Sequence, residues 1–512
     1  MFRRIMIVLL NPEPVQPVIH NEHKPRHNNP NNLNKVVLQQ PNNSPGTYPQ
    51  FAKNGKFVPS RRIVHLDLKG GAYKMFPYTG QLAKATNGYV YTKEDVRSIL
   101  QAAKDQELEV IPLVQTLGHL EWVLKLDAFL HLRDDPNSPT VICVGKEGVF
   151  ELLKDMIDQV ATIHKEFGFN SFHMGADEAF QFGFCNGTLE RIRTEGNRDR
   201  AMLWHLSRIA EHIKTTYSTD VLAWHDMFAH MLEDDLKYYR LTTLIQPVLW
   251  SYAEDLDMYL PITTWFALKP FKRVWGASVY KGADGPQQYH SHPMHYIRNH
   301  ESWIQQFSRV YKDFERIEGL VYSGWSRYDH MAILCELLPV ALPQLAFCAE
   351  TMLEAKPMDR NYPRARQWLG CDANVEKASY VLGCKFPGSK LYELINDYAG
   401  RKARALKFIE SDYDFNGYLS RVAVNYSISS ATTIDKIVPN IDFHLSGLEF
   451  VVNEFRKEAA EIYYQETIDE YIFVYFAEPI ELLRSRRKAA MELRAKRSFP
   501  KRPYIVYPKT EL

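Results

Sequence analysis

The chain has 512 residues, of which 45% are hydrophobic and 13% are aromatic, and its formal net charge is +1. This composition is that of an ordinary soluble globular protein with a large core, and it leaves no general electrostatic attraction to nucleic acid. The cysteines have no metal-ligand spacing and predict neither a zinc site nor a dense disulfide framework; they lie at positions 143, 185, 335, 348, 371 and 384. Nothing in the sequence suggests a metal or an organic cofactor.

The N-terminus resembles the beginning of a signal peptide or a membrane anchor, but its apolar run is short. Two arginines are followed by the apolar residues 5–10, whereas a signal core needs about 7–15 residues and a membrane span about 20. We therefore predict no functional signal. Asn-X-Ser/Thr triplets, which matter only in the secretory pathway, occur at Asn42, Asn186 and Asn425. These features leave the compartment open.

Residues 1–60 are predicted to form a disordered leader. Beyond residue 10 they are crowded with Asn, Pro, Gln and His and have few apolar positions. Such a segment cannot bury enough surface to offset the entropy lost on ordering.

Residues 61–350 alternate between β-type runs and amphipathic helical stretches. The predicted strands are 61–68, 109–114, 170–174, 221–224, 244–250, 273–279 and 319–323, and the predicted helices are 92–106, 146–166, 199–216, 294–315 and 330–350. The alternation predicts a parallel α/β fold, either a TIM (β/α)8-type barrel or a doubly wound sheet. Polar and aromatic residues recur directly after the strands, which favours the barrel.

The predicted strands number seven, one fewer than a closed barrel needs. Residues 69–91 are full of Gly, Pro, Thr and Asn and leave no room for a second helix and strand. An incomplete barrel that lacks its second strand is therefore a possibility.

Residues 351–512 are predicted to be a helical C-terminal region. Its basic end, 484–502, is better explained as a solvated helix face than as a surface for acidic lipid or nucleic acid.

The stretch 169–180 carries the strongest chemical signal. A short strand is followed by Gly175 and Ala176, and then at once by the carboxylates Asp177 and Glu178. An Asp-Glu pair is most often a helix N-terminus. At the mouth of a β/α barrel, however, it would place two acids where catalytic residues lie, with proton affinities that mutual repulsion pushes apart.

Other polar and aromatic residues are predicted near the same mouth. His119 follows Gly118 at a strand end, although a lone histidine is more often structural. Tryptophans at or just beyond strand ends suggest a lined cavity suited to a sugar ring; they are Trp224, Trp250, Trp275 and Trp325, with Asp226 and Tyr252 beside two of them.

These segments together resemble the family 20 glycoside hydrolases, the β-N-acetylhexosaminidases. His173–Glu178 fits that family's strand-four pattern His-x-Gly-x-Asp-Glu. The resemblance covers about 61–350, is greatest to hexosaminidase D-like members, and includes His65–Gly70, Met75–Tyr78, Glu109–His119, Pro247–Trp250, Lys281–Ala283, Gly324–His330 and Cys335–Pro339. It implies a glycan partner with terminal β-linked N-acetylhexosamine, a leaning to galactosaminides and a nucleocytoplasmic location. A homodimer is left open.

The resemblance also implies substrate-assisted hydrolysis, an exception to the two-carboxylate scheme of most glycosidases. The substrate's 2-acetamido oxygen would attack the anomeric carbon. Glu178 would protonate the leaving oxygen and later activate water, and Asp177 would hold the acetamide N–H. Tyr252 is the candidate for bonding the acetamide oxygen. The other substrate-binding residues implied are His119, His173, Trp224, Asp226, Trp250, Trp275, Trp325 and Lys69.

Two departures from the family pattern bear on activity. Most members have an arginine after the first strand, where this chain has Lys69 as the candidate substitute. Relatives also have a helix and a strand where Lys74 here runs directly into Met75. An open edge would expose unpaired backbone groups, so a catalytically impaired carbohydrate-binding protein, or an incomplete isoform, is the alternative function. A third alternative is an ordinary retaining glycosidase, with Asp226 as its second carboxylate.

Overall fold

The computed structural model describes residues 52–53, 56–59, 61–68, 75–86, 88, 90–356, 362–372, 381 and 383–501. Residues 1–51 of the predicted leader lie outside this part of the chain. The predicted binding residue Lys69 and the junction at Lys74 lie outside it as well.

The described end of the leader is ordered. Strands β1 (Ala52–Lys53) and β2 (Lys56–Phe57) form a small antiparallel hairpin. The ring of Phe57 is buried and stacks on Tyr311, with 5.1 Å between the ring centroids. The prediction of disorder up to residue 60 is therefore wrong for this hairpin, because its one large aromatic side chain finds a partner far along the chain.

The central layer is a parallel sheet of six strands whose order is β3-β8-β7-β6-β5-β4. The strands are β3 (Arg61–Val64), β4 (Ser171–His173), β5 (Asp220–Trp224), β6 (Ile245–Trp250), β7 (Arg273–Lys281) and β8 (Arg316–Gly324). Strands β5 to β8 are nearly continuous runs of buried residues, as expected of a parallel sheet covered on both faces. All carboxyl ends of the strands lie on one side.

The predicted strand 109–114 forms only an isolated parallel bridge, between Leu113 and His173. The N–H of Val114 donates to the carbonyl of His173 at 3.0 Å, and the N–H of His173 donates to that of Pro112 at 2.9 Å. Because Pro112 has no N–H and lies at the sheet edge, a regular ladder does not form there. The prediction of a full strand is therefore wrong, although the segment does lie beside β4 as expected.

The two edges of this curved sheet approach each other. The guanidinium of Arg61 in β3 donates to Glu109 at 2.7 Å. Ile63 and Leu113 also pack against one interior cluster, which consists of Leu222, Trp224, Val248, Trp275, Ala277 and Val321. The result is a parallel half-barrel whose interior is filled with side chains. This agrees with the prediction of an incomplete barrel.

Helices connect the strands and cover the outer face of the sheet. They are α1 (Lys93–Lys104), α2 (Glu121–Leu124), α3 (Val149–Lys165), α4 (Asn186–Glu195), α5 (Arg198–Tyr217), α6 (Glu233–Tyr238), α7 (Leu241–Leu244), α8 (Leu256–Tyr259), α9 (Ile262–Ala267), α10 (Pro293–Val310) and α11 (Leu338–Glu354). Helix α1 begins as predicted, with a capping box at Thr92. The Thr92 side chain accepts the N–H of Asp95, and the Asp95 side chain accepts the N–H of Thr92. Short 3-10 turns lie at Gly80–Ala85, Asp127–Leu132 and Tyr311–Asp313.

The C-terminal region is helical, as predicted. It contains α12 (Pro363–Trp368), α13 (Ser389–Ser411), α14 (Tyr413–Tyr418), α15 (Arg421–Asn425), α16 (Ala431–Ala460), α17 (Gln465–Tyr471), a π turn (Ile472–Phe476) and α18 (Ala477–Arg494). Arg327, which follows β8, forms a bidentate ion pair with Glu470 of α17 at 2.5–2.6 Å and so joins this region to the sheet's carboxyl end.

The basic C-terminal helix is neutralised by acids of a neighbouring helix. Three arginines of α18 pair with three acids of α16 at N–O distances of 2.5–2.6 Å; the pairs are Arg484–Glu449, Arg487–Asp442 and Arg494–Asp435. This pairing favours the predicted solvated helix face. Among the residues described, no helix is long and apolar enough to cross a membrane.

Candidate active site

The acid pair lies in a strained turn beyond β4 rather than at a helix N-terminus. Three of the four residues 175–178 have φ in the left-handed region, namely Gly175 at +68° and the non-glycine residues Ala176 at +76° and Glu178 at +48°. The next helix, α4, begins only at Asn186. Such backbone strain persists where surrounding contacts enforce it, and it is concentrated at functional sites.

Asp177 is buried and bonded on both oxygens. Its Oδ1 accepts a hydrogen bond from Nε2 of Gln115 at 2.8 Å, and its Oδ2 lies 3.3 Å from Nε2 of His119. Burial by itself would raise the pKa of Asp177, but the charge of His119 and the hydrogen bonds from His119 and Gln115 hold that pKa below its ordinary value. Asp177 is therefore an ionised carboxylate at neutral pH.

Glu178 is the accessible member of the pair. Its side chain is 40% exposed, whereas that of Asp177 is 9% exposed, and its Oε2 lies 3.2 Å from the same Nε2 of His119. His119 thus contacts both acids at once, and it lies beside them as its position at the end of a strand predicts. Within the described residues, no group of three or more His, Cys, Asp or Glu side chains has the arrangement of a metal site. The geometry fits one fixed anion and one solvent-facing acid.

Asp226 supports the acid through the main chain. Its Oδ2 accepts the N–H of Glu178 at 2.8 Å, and its Oδ1 accepts the indole N–H of Trp250 at 2.9 Å. Burial, and secondly the negative charge of Asp177, raise the pKa of Asp226 to about 7. Asp226 consequently keeps its proton below neutral pH while Asp177 has lost its own.

The raised pKa of Asp226 predicts a pH-dependent stability. The folded state binds a proton that the unfolded chain releases above a pKa of about 3.9, so stability should fall as pH rises from about 4 to about 7. Between pH 5 and pH 7.5, the free energy of unfolding of the wild type should fall by about 2–3 kcal/mol more than that of Asp226→Asn, at 1.36 kcal/mol per pKa unit. Urea titrations at both pH values measure this, and equal pH dependence of the two proteins would refute the assignment.

Trp250, Tyr252 and Trp325 form the predicted wall beside the acids, and Trp224, which is 1% exposed and belongs to the interior cluster, packs behind them. The centroid distances are 5.3 Å for Trp250–Tyr252, 6.5 Å for Tyr252–Trp325 and 6.2 Å for Trp325–Trp224. His65, which follows β3, lies 4.7 Å from Trp325 and extends the wall. Burial raises the pKa of Tyr252, so its phenol stays protonated and can donate a hydrogen bond. Strands that are far apart in sequence thus line one cavity wall.

Trp275 does not belong to this wall, and its prediction at a strand end is wrong. It is the third residue of β7 and is fully buried in the interior cluster, where its indole donates to Gln246 at 2.7 Å. The guanidinium of Arg61 lies 4.7 Å from its ring centroid. Because Trp275 is the third of the nine residues of β7, it lies near the amino end of the strand and away from the mouth.

His173 is an interior residue that supports the turn. Its Nδ1 accepts the N–H of Gly175 at 3.0 Å, and its ring lies 4.4 Å from that of Trp224. Burial lowers the pKa of His173 to about 3, so the ring is neutral. The structure therefore brings His173 beside the wall, behind Trp224, while Trp224 itself is almost fully buried.

Gln115 is a site residue that no pattern in the sequence predicts. Besides holding Asp177, its Oε1 accepts the N–H of Ala176 at 3.0 Å, so one amide fixes two consecutive residues of the strained turn. A polar residue directly after the apolar run 110–114 was the available signal. The amide contacts are long-range, and no local pattern reveals them.

Asp134 is a second such residue, and it anchors the loop that follows Glu178. Its Oδ1 accepts the N–H groups of Gly183, Phe184 and Cys185 at 2.9, 2.6 and 3.2 Å, and its Oδ2 accepts the hydroxyl of Thr188 at 2.6 Å. A disulfide joins Cys185 to Cys143, and another joins Cys371 to Cys384. The loop after the acids is thus tied to the loop after the segment 109–119.

Gly118 permits the close approach of the His119 segment to the acid turn. A Cβ atom at Gly118 would lie 2.1 Å from the carbonyl oxygen of Asp177. Gly118→Ala should therefore displace the acid turn and lower kcat/KM at least about 100-fold, the size of effect that a misplacement of about 1 Å can have. Steady-state kinetics test this, with Gly417→Ala as the control because no atom lies within 4 Å of its added Cβ. Near-normal activity of Gly118→Ala would contradict the packing argument.

Comparison with known proteins agrees with this geometry. Residues 46–254 match the profile of the catalytic domain of glycosyl hydrolase family 20. Hexosaminidase D of Bos taurus is 35% identical over 348 residues, covering 62% of this chain and 99% of that relative. Hexosaminidase D of Homo sapiens is 30% identical over 443 residues, covering 80% of this chain and 90% of that relative.

A search of solved structures returns matches of low identity. The crystal structure of a β-N-acetylhexosaminidase aligns with a TM-score of 0.41 and 16% identity, covering 58% of this chain and 65% of that chain. The resemblance stated from the motifs, including its leaning to hexosaminidase D, is confirmed by the sequence relatives. The chain belongs to glycoside hydrolase family 20, the family of the β-N-acetylhexosaminidases.

Proposed function

We propose that the protein is a β-N-acetylhexosaminidase that removes terminal, non-reducing, β-linked N-acetylgalactosamine or N-acetylglucosamine from glycans or glycoconjugates. The observation that carries the proposal is the pair of unlike carboxylates on one imidazole, with Asp177 buried and ionised and Glu178 exposed to solvent. One acid can hold a developing cation while the other exchanges protons with the leaving group and water.

The reaction proceeds in two steps with net retention. Glu178 donates its proton to the leaving oxygen while the substrate's acetamide oxygen forms a bond to the anomeric carbon, which gives an oxazolinium ion. Water then attacks that carbon, the ring of the ion opens, and Glu178 takes up the proton of the water. Asp177 accepts the acetamide N–H throughout and stabilises the positive charge of the intermediate.

Tyr252 and the aromatic wall orient the acetamido group. The protonated phenol of Tyr252 donates to the acetamide oxygen, Trp250 and Trp325 lie against the sugar ring, and the buried Trp224 supports them from behind. Apolar walls with a few oriented polar groups are the usual construction of a small-molecule site. Lys69 remains the candidate for binding hydroxyls in place of the arginine of other members.

Asp226 is unsuited to be the nucleophile of an ordinary retaining glycosidase. Both of its oxygens accept hydrogen bonds, from the N–H of Glu178 and the indole of Trp250. Its raised pKa also leaves it partly protonated near neutral pH. In the proposal, Asp226 holds the backbone of Glu178 and the indole of Trp250 in place. Because Asp226 is not free to attack the sugar, the substrate-assisted route is favoured.

We also propose that the half-barrel is functionally a (β/α)8-type barrel that lacks its second strand. The ion pair between Arg61 and Glu109 and the packing of Ile63 and Leu113 substitute for strand pairing at this point. The carboxyl ends of the strands therefore still surround one mouth.

The test is hydrolysis by the full chain of nitrophenyl β-N-acetylgalactosaminide and β-N-acetylglucosaminide, beside nitrophenyl β-galactoside and β-glucoside. We expect turnover only of the two substrates that carry the acetamido group, with the β-anomer of the sugar released first. Equal turnover of the plain glycosides would overturn the substrate-assisted mechanism. Sugar binding without turnover of any substrate would instead support the carbohydrate-binding alternative.

A further inference from the structure

The loop that follows β8 carries Trp325 of the aromatic wall. This β8 loop comprises residues 325–337, between the end of β8 and the start of α11. Its first residue is bonded to the sheet, since the N–H of Trp325 donates to the carbonyl of Lys281 at 3.2 Å. The N–H of Cys335 donates to the carbonyl of Ser326 at 2.9 Å, so the residues between these two form a closed loop that projects from the sheet. The wall residue is thus attached to a loop whose outer part requires contacts from elsewhere to be held in place.

The outer part of the β8 loop is held by the C-terminal helical region. The guanidinium of Arg327 donates to both carboxylate oxygens of Glu470, at 2.6 and 2.5 Å, and to the carbonyl of Ala332 at 2.7 Å. The phenol of Tyr475 donates to the carbonyl of Leu334. Glu470 and Tyr475 therefore hold both limbs of the loop from one short segment of the C-terminal region.

The same segment also holds the loop that follows β7, the neighbour of β8 in the sheet. The phenol of Tyr471 donates to the carbonyl of Tyr289 at 2.7 Å, and the ring of Tyr289 stacks on that of Tyr475 with 4.6 Å between the centroids. Tyr471 and Tyr475 are both buried. Residues 470–475 therefore bind two adjacent loops at the carboxyl end of the sheet, which is the end where the acids lie.

The backbone of this segment suits that role. A π turn, Ile472–Phe476, separates α17 from α18. In a regular α-helix, Glu470 and Tyr475 would point about 140° apart, because each residue turns the helix by about 100°. A π turn is wider and brings side chains five positions apart toward one side; such turns are rare and are often found at functional sites. The turn explains how both residues reach the same loop.

The ion pair fixes orientation more than it stabilises the fold. The side chain of Arg327 is only 11% exposed, and that of Glu470 is 30% exposed. Removing such charges from water costs about as much as their attraction returns, so a largely buried ion pair is weak evidence for stability. A bidentate guanidinium–carboxylate pair does, however, fix the relative orientation of both groups. Because Arg327 lies two positions after Trp325, the pair fixes the chain beside a ring of the candidate sugar site.

We propose that the C-terminal helical region is part of the catalytic unit, with Glu470 as a positioning residue that acts through Arg327 and keeps the Trp325 ring in place for the sugar. The inference rests on the proposed function, in which Trp325 lies against the sugar ring. Trp325 neighbours Tyr252 in the wall, with 6.5 Å between the ring centroids, so a displaced β8 loop also alters the space for the acetamido group. The two acids follow β4 instead and stay in place when the β8 loop moves.

The first test is the kinetics of Glu470→Ala in the full chain with nitrophenyl β-N-acetylgalactosaminide. We expect KM to rise about 3–10-fold, the size of one weakened aromatic contact, and kcat to change less than about twofold. A role in stability alone would give the opposite pattern, because fewer folded molecules lower the apparent kcat and leave KM unchanged. An unchanged KM would therefore overturn the proposal, whatever the loss in kcat.

Matched variants show whether the ion pair itself is responsible. Asp469→Ala is the control, because Asp469 precedes Glu470 in α17 and its side chain pairs with Arg456 of α16 at 3.0 Å; its KM should equal that of the wild type. Arg327→Glu and Glu470→Arg should each raise KM, and the double variant should recover part of the loss because the two charges are exchanged. A double variant whose KM is no lower than those of the single variants would overturn the action through the pair.

A second readout does not depend on turnover. The chain has nine tryptophans, and labelling with fluorotryptophan gives each a fluorine NMR signal, of which that of Trp325 is assigned by its loss in Trp325→Phe. Glu470→Ala should shift or broaden the Trp325 signal, whereas Asp469→Ala should leave it unchanged. An unchanged Trp325 signal in Glu470→Ala would refute the coupling. A changed signal in a protein that turns over no substrate would support the coupling and place the failure with the proposed function.

Discussion

Glu178→Gln is expected to lower kcat/KM for nitrophenyl β-N-acetylgalactosaminide by about 10²–10⁴, the range attributed to a positioned general acid–base group. The amide keeps the shape of the side chain but has no proton to give to the leaving oxygen. It also cannot accept the proton of water in the second step. KM should change little, because the aromatic wall and Asp177 remain. Steady-state kinetics at several pH values measure the effect.

The leaving group sharpens this prediction. A sugar or alkyl leaving group needs protonation more than nitrophenolate does, so the variant's loss should increase from the nitrophenyl to the alkyl substrate. The matched control is Glu190→Gln, because Glu190 is an exposed residue of α4 on the same connection between β4 and β5. Activity of Glu178→Gln within about threefold of the wild type would exclude Glu178 as the acid, given the size expected for acid catalysis.

Asp134→Ala is expected to be the most destabilising of these substitutions, with a loss of about 3–5 kcal/mol in the free energy of unfolding, as for a broken buried charged network. The carboxylate is fully buried and satisfies three backbone N–H groups and one hydroxyl. Burial raises the pKa of Asp134, although those hydrogen bonds oppose the rise. Without the Asp134 carboxylate, the N–H groups of Gly183, Phe184 and Cys185 and the Thr188 hydroxyl lose this buried acceptor.

The measurement is urea unfolding at neutral pH with a tryptophan fluorescence readout. Asp135→Ala serves as the control, since Asp135 is less buried and its side chain caps only the N–H of Asn137, at 2.8 Å; its loss should be about 1 kcal/mol. Asp134→Asn should fall between the two because it retains an acceptor oxygen. Equal stability of Asp134→Ala and Asp135→Ala would contradict the anchoring role. Where Asp134→Ala remains folded, its activity should also be reduced, because the anchored loop follows the acid directly.

Local periodicity predicted the six strands of the sheet and, between residues 61 and 354, the helices longer than ten residues. The buried runs of β5 to β8 and the capping box of α1 could be read because each depends on neighbours within a few residues. The segment 109–114 was predicted as a full strand but forms only one bridge, because a regular ladder depends on a partner at the sheet edge that local pattern does not reveal. The hairpin at 52–57 escaped prediction for the same reason, because Phe57 is stabilised by a ring more than 250 positions away.

Trp275 illustrates a limit within a correctly predicted strand. Sequence alone placed it near the mouth, whereas it is the third of nine residues of β7 and lies buried near the amino end of that strand. The direction of a side chain relative to the barrel axis follows from where a strand ends and how it is registered against its neighbours. Composition carries no record of that register.

The sequence by itself determined the family, the acid pair and the chemistry that the pair can perform, because those follow from residue types held at fixed spacing in one short motif. Only the tertiary structure decided the division of labour between the acids. The lowered pKa of Asp177 and the raised pKa of Asp226 arise from burial and from charges contributed by separate strands. Gln115 and Asp134 acquire their roles in the same way. Proton affinity depends on the distance to other charges and on access to water, and folding alone brings those groups together.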